Sequence, residues 1–192
     1  MRLKGQTSPG ELIWLGLIFG AVMIGAALLW AGLMRDYDWR AAWFPAGYAL
    51  RELSAGIAAG MLMALLGWMV TLRVPALARL RDDLIALLRV EEMRVWHALI
   101  LGALAAVPEE MFFRGTLQAE IGLLLAALLF AAMHAVSRLY FVYALLAGLM
   151  LGLLARWRGD LWAATGAHWS YDAAFFLLMV WRSKRNGTII GN

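Results

Sequence analysis

Uncharged runs succeed one another along this chain, and charge gathers at the joints between them. Leu12 to Met34 is long enough for the ~20 residues that a membrane-crossing helix needs. It is too long for the apolar core of a signal peptide, so it is expected to stay in the mature protein. The preceding "SPGE" supplies Ser8 as N-cap, Pro9 at the first helical position and Glu11 three residues on, a capping box that starts the helix just outside the apolar run. Further spans are predicted from Leu53 to Leu72, Val95 to Leu117, Ile121 to Val136, Leu139 to Ala155 and Leu161 to Trp181, the fourth being short. Between the second and third lies "RVPALARLRDDLIALLRVEEMR". It has Leu77, Leu80, Leu84, Leu87 and Leu88 at helical spacing and charges on the remaining positions, the pattern of an amphipathic helix lying in the membrane interface.

The prediction is an all-α polytopic bundle of about six transmembrane helices, one membrane domain over 1–192. Two N-terminal spans fill 11–72, the interfacial helix 74–94 and a four-span core 95–181. Gly16/Gly20, Gly56/Gly60 and Gly148/Gly152 are each four apart, a spacing that lets helix backbones approach closely. No internal repeat, low-complexity segment or soluble domain stands out.

Composition fixes the solvent. The chain is 64% hydrophobic and 16% charged, with 10 Trp and a mean hydropathy of +0.73, outside the range of soluble domains. Membrane lipid is therefore the expected partner. An isoelectric point near 9.8 invites nucleic acid, but the basic residues flank apolar runs instead of forming a stripe, and no nucleic-acid partner is expected. There is no cysteine, which removes disulfides, a thiol nucleophile and a thiolate metal site.

The polar residues at membrane depth then carry the chemistry. They are Glu109, Glu110 and Arg114 in span three, His134 in span four, and His168 with Asp172 in span six. A charge at a helix centre costs about 2.5 to 3.5 kcal/mol on insertion scales, so several together point to a functional site facing the bundle interior. His97 sits beside Trp96 at the start of span three and reads as interfacial. Glu110 and Arg114 are i,i+4 in the favourable order, whereas Glu109 points about 100° away around the helix. Glu110 is thus expected to be tied down and Glu109 free to take and return a proton. Pro108 cannot donate to the carbonyl of Leu104 and is expected to kink the helix there. His168 and Asp172 share a helix face, so the carboxylate can orient the imidazole through one nitrogen while the other meets a ligand. Phe130 and His134 have the same spacing. Counted from the ends of their spans, Glu109 and His168 lie about 10 to 12 Å below the same face. His134 comes out about 20 Å down from it, unless the Gly115 to Glu120 connection dips inward.

In order along the chain, "EEMFFR" fits EExxxR, "FAAMH" fits FxxxH and "HWSYD" fits HxxxN/D. Over Trp96 to Val180 the sequence resembles the CAAX-protease and bacteriocin-processing family of intramembrane glutamate endopeptidases, which includes the type II prenyl-protein protease. The resemblance implies that 95–181 is a catalytic core. In it Glu109 activates the attacking water with His134, His168 and Asp172 face the scissile carbonyl, Glu110 and Arg114 support them, and no cofactor is required. Eukaryotic members carry Asn where this chain has Asp172, which donates to an oxyanion only when protonated. Its expected role is therefore to orient His168.

Three alternatives stay open. Glu109, His134 and His168 could ligate zinc, a set that leaves a water position open, although no helix carries HExxH. The cluster could instead be a proton or ion pathway, against which no half-chain symmetry appears. A scaffold that retains the motifs is the third. High Ala, Leu, Arg and Trp usage leans toward a bacterial cytoplasmic membrane, where a C-terminal sorting tag or a peptide precursor replaces a prenylated tail as the protein or peptide substrate. Six spans put both termini on one side, with eleven Lys and Arg there against six opposite. By the positive-inside rule the termini are cytoplasmic, and a mouth near Gly115 would open outward to exported segments.

Overall fold

The computed structural model describes residues 7–33 and 38–190, excluding the side chains of Arg40 and of residues 186–190. Arg2, Lys4, Arg35 and the expected end of the first span at Met34 lie outside the described residues. Among those described there are helices and no strand. They are α1 (Pro9–Leu33), the short α2 (Trp39–Trp43), α3 (Ala49–Arg73), α4 (Pro75–Leu87), α5 (Val95–Glu109), a π-helix (Glu110–Leu117), α6 (Gln118–Met133), α7 (Arg138–Arg158) and α8 (Trp162–Ile190), with single 3-10 turns at Ala46–Tyr48 and Val90–Glu92. Four stretches are long and apolar enough to cross a membrane: 9–33, 41–73, 95–133 and 138–158. The last predicted span forms within α8, but its polar residues, among them His168, Ser170 and Asp172, keep it below that threshold.

The capping box forms as expected: the Ser8 N–H donates to Glu11 Oε2 at 2.7 Å and the Glu11 N–H to Ser8 Oγ at 3.3 Å. Each glycine pair is a site of close approach. A Cβ at Gly56 or Gly60 would run into the backbone of Ala163 or Ala167 on α8, and one at Gly20 would meet the Pro108 ring at 3.0 Å. A Cβ at Gly148 would touch Phe130 and one at Gly152 would strike Gln118 and Leu123. The backbones of α3 and α8 thus pack without side chains between them, and α1 lies along the stretch of α5 that carries Leu104 and Pro108.

Spans three and four are one helical run folded on itself. Straight, 39 residues would be about 58 Å long, roughly twice the hydrocarbon thickness. The chain breaks at Gly122, whose φ of 82° and ψ of 167° are open only to glycine. Glu109 lies thirteen positions before that break and His134 twelve after it, so nearly equal arms bring the two back to one level. The expected inward dip at Gly115 to Glu120 is not what does this; those residues stay helical, and the turn comes at Gly122.

The α4 segment departs from the sequence reading in one respect. Arg81, expected on its polar face, is buried: its guanidinium donates to Thr71 Oγ1 at 3.0 Å and lies over the Trp68 ring, 5.3 Å from its centroid. Arg81 falls on the same helical face as Leu77, Leu84, Ile85 and Leu88, so the packed stripe itself carries a cation.

Candidate active site

Pro108 brings the chain into the site and changes its helix. Its missing N–H breaks the regular ladder, and from Glu110 onward the backbone runs as a π-helix, the Gln118 N–H donating to the Phe113 carbonyl five residues back. The Thr116 hydroxyl reaches back to the Phe112 carbonyl. Pro108, Glu109 and Glu110 are all buried here, with the Pro108 ring against Gly20.

The two adjacent glutamates meet different partners. Glu110 Oε1 accepts from Arg114 at 2.9 Å and from the Nδ1 of His168 at 2.8 Å. Arg114 also donates to the Gly148 carbonyl at 3.1 Å and stands over the Phe130 ring at 4.5 Å, so the ion pair ties the π-helix to α7 and α8. Glu109 Oε2 is buried and makes no hydrogen bond. It faces the Nε2 of His134 at 3.7 Å and the Nε2 of His168 at 3.9 Å. The His134 Nδ1 donates to the Phe130 carbonyl at 2.8 Å, and its ring lies 4.4 Å from that of Phe130. Glu109, Glu110, Arg114, His134, His168 and Asp172, spread over three helical segments in the sequence, form one cluster.

The orientation of His168 differs from the expectation. Asp172 Oδ2 lies 3.5 Å from Nε2, beyond hydrogen-bond length, while Nδ1 is held by Glu110. The two carboxylates thus flank opposite edges of the ring. No local spacing could reveal the Glu110 contact, because the partners are 58 positions apart. Among the described residues, no three His, Asp or Glu side chains are grouped as ligands of a metal ion would be.

Beside Glu109 lies a cavity of about 80 Å³, large enough to hold water. Ala105, His134, Tyr140, His168 and Asp172 contribute to its wall. Ala105 precedes Glu109 by one turn on α5, Asp172 follows His168 by one turn on α8, and Tyr140 is in the first turn of α7. All three lie toward the end of the bundle that holds the start of α5 and the end of α8. At the opposite end Trp43 is buried, its indole N–H donates to the Gly115 carbonyl at 3.2 Å, and its carbonyl accepts from the Leu161 N–H at 2.9 Å, beside a second cavity of about 400 Å³ that Arg114, Gly115 and Gln118 help to line. On the terminal side the α6–α7 junction, Ala135 to Leu139, is exposed, and His134 and Tyr140 on either side of it border the cavity.

Polar groups that the sequence reading passed over hold the frame. Glu52, just before the predicted second span, is buried and accepts from Arg158 at 2.5 Å through both oxygens, 106 positions away. Asp160 caps α8 by accepting from the Trp162 N–H at 2.8 Å, and burial pushes its carboxyl up. The tyrosines of the cavity wall, Tyr140, Tyr143 and Tyr171, went unread because a phenol costs little at membrane depth.

Residues 91–174 match the family model of the Rce1-like type II CAAX prenyl endopeptidases, a stretch that contains all three motifs. The match supports a membrane protease and bears out the resemblance drawn from the motifs. A curated relative, the uncharacterized protein YpbD of Bacillus subtilis (strain 168), is 43% identical over 82 residues, which is 41% of this chain and 43% of the relative. The match thus spans less than half the length of that relative. No solved structure matches the chain.

Proposed function

We propose that the protein is an intramembrane endopeptidase that hydrolyses a peptide bond with a water activated by Glu109. One observation carries the reading: a buried carboxylate oxygen without a hydrogen bond, facing two imidazole nitrogens across gaps of 3.7 and 3.9 Å. Gaps of that size are too long for direct hydrogen bonds, and the cavity beside them has room for the attacking water. Glu109 takes the proton of that water, helped by the His134 Nε2, as the oxygen adds to the scissile carbonyl. Glu109 then returns the proton to the departing amine. Glu110, fixed by Arg114, holds His168 through Nδ1 and so keeps the second imidazole turned toward the reacting group. Asp172 borders the same space and takes part in positioning the substrate.

The substrate is read as a membrane-associated protein or peptide precursor. An apolar groove of about 300 Å³ between α3 and α7 adjoins the cavity and shares Met63, Tyr143, Ala147 and Tyr171 with it, which suits a cleavage site next to an apolar segment. A bacterial cytoplasmic membrane fits the composition.

The test is a comparison of protein termini in membranes from cells that express the wild type or Glu109→Gln. New termini are expected with the wild type alone and should reappear when the purified enzyme is given the corresponding precursor in vesicles. Identical termini in the two samples would overturn the reading.

A further inference from the structure

Asp160, in the turn between α7 and α8, keeps one carboxyl oxygen without a partner. Its Oδ1 accepts from the Trp162 N–H at 2.8 Å, whereas Oδ2 is buried and makes no hydrogen bond. A buried acceptor left unpaired is costly, so such an oxygen points to a donor from outside the chain. The neighbouring cation does not supply it, because Arg158 donates to both oxygens of Glu52. Asp160 lines the second cavity, the one at the Trp43 end, whose volume of about 400 Å³ is that of a small-ligand site.

The other charged side chains of that cavity are cations. Arg114 is buried and committed to Glu110 and the Gly148 carbonyl. Arg156, in the last turn of α7, is exposed and makes no ion pair with any described residue. The cavity thus offers an exposed guanidinium together with an unpartnered carboxyl oxygen, the two halves of a site for a zwitterion. It also lies at the membrane boundary. The membrane-length stretch 138–158 ends beside it and 41–73 begins there, with Trp43, Trp157 and Trp162 at the same end, as aromatic residues gather at an interface. Leu124 and Leu125, just past the break at Gly122, and Leu153, one turn before Arg156, are exposed and give acyl chains an apolar surface.

We infer that this cavity binds the headgroup of an aminophospholipid, its primary ammonium donating to Asp160 Oδ2 and its phosphodiester facing Arg156. Chemistry separates this headgroup from its competitors. The quaternary ammonium of phosphatidylcholine carries charge but no N–H, so it leaves Oδ2 unpaired. Phosphatidylglycerol has no cation and brings its net negative charge against Asp160.

The test is native mass spectrometry of the purified full chain in detergent with an equimolar mixture of phosphatidylethanolamine, phosphatidylcholine and phosphatidylglycerol of matched acyl chains. The first is expected to be retained about tenfold over each of the others, the factor that a hydrogen bond to a charged group typically supplies. Asp160→Asn keeps an oxygen for the Trp162 N–H and puts an amide N–H group where the unpartnered oxygen stood, so it should erase the preference over phosphatidylcholine. Arg156→Gln should weaken retention of both zwitterionic lipids alike, since both carry the phosphate. Equal retention of phosphatidylethanolamine and phosphatidylcholine by the wild type overturns the inference and leaves a water as the partner of Oδ2; this comparison needs no variant and decides the matter if Asp160→Asn fails to fold. A preference that persists in folded Asp160→Asn overturns it too. So does soluble phosphoethanolamine bound as tightly as the lipid, which would make the ligand a free zwitterion. None of these readouts involves proteolysis, so the outcome is independent of the endopeptidase reading.

Discussion

A carboxyl group persists at membrane depth only where a partner neutralises it or chemistry employs it, and Glu109 and Glu110 divide along that line. Glu110 has two hydrogen-bonded partners on one oxygen, whereas Glu109 Oε2 has none. Breaking a buried pair typically costs about 3 to 5 kcal/mol, because the remaining charge is stranded. Glu110→Gln is therefore expected to lower the unfolding temperature in detergent and to reduce activity partially. Glu109→Gln should leave that temperature unchanged and abolish turnover; equal turnover by Glu109→Gln and wild type would remove Glu109 from the mechanism. His134→Ala and His168→Ala are each expected to lose about 10²- to 10⁴-fold in rate. Strong chelators should have no effect on the wild type, and rescue of a dialysed enzyme by stoichiometric zinc would favour a metal mechanism. The helical partners at this scale were legible because i,i+4 spacing is a property of the chain itself, as with Glu110 and Arg114 or Phe130 and His134. The contact between Glu110 and His168 was not, because only tertiary packing joins them. The burial of Arg81 could have been read from its place on the leucine stripe.

At the scale of elements, the core is held by backbones in contact and by one folded helix. Gly56 and Gly60 let α3 meet the carbonyl-bearing face of α8, the helix that carries His168. Added methylenes at a packed site commonly cost about 1 to 3 kcal/mol, and backbone as the obstacle puts this position at the upper end or beyond. Gly60→Leu is thus expected to lower thermal stability and activity together. Gly25→Leu, on an open part of α1, should be neutral by the same measurement. The glycine spacing announced such contacts but could not name the partner helix. Nor could it announce the π-helix. The junction of α4 with α8 titrates. Burial pushes the Asp82 carboxyl up, but hydrogen bonds from Arg81 and Arg182 outweigh this and hold it below its usual range. A lowered folded-state value gives stability that is present above the unfolded value near ~3.9 and is lost as pH falls through the folded one. Asp82 is half exposed, which limits the effect to about 1 kcal/mol or less. The stability gap between wild type and Asp82→Asn is accordingly expected at pH 7 and should shrink as the pH is lowered through the unfolded and then the folded value, as followed by thermal unfolding.

Across the whole molecule, the distribution of charge bears on which side of the membrane the cavity faces. The Lys and Arg imbalance favours cytoplasmic termini, and it survives the burial of Arg81 and Arg114, one on each side of the count. The sequence could not show that Trp43 packs against Gly115, since the two are 72 positions apart. If the cavity opens toward the terminal side, where Ala105, Tyr140 and Asp172 lie, cytoplasmic termini would give a cavity open toward the cytoplasm. The absence of native cysteine makes this measurable. Single cysteines at Asp38 and Asp82 fix the orientation: an impermeant maleimide on intact cells should label Asp38→Cys and spare Asp82→Cys. A cysteine at Ala105, in the cavity wall, then reports the mouth. A charged thiol reagent should reach Ala105→Cys in inverted vesicles and not in intact cells. Labelling at Asp82 but not Asp38 would reverse the orientation, whereas the expected labelling at those two positions combined with access to Ala105→Cys only from outside would mean that the Trp43 end, not the α6–α7 end, admits water.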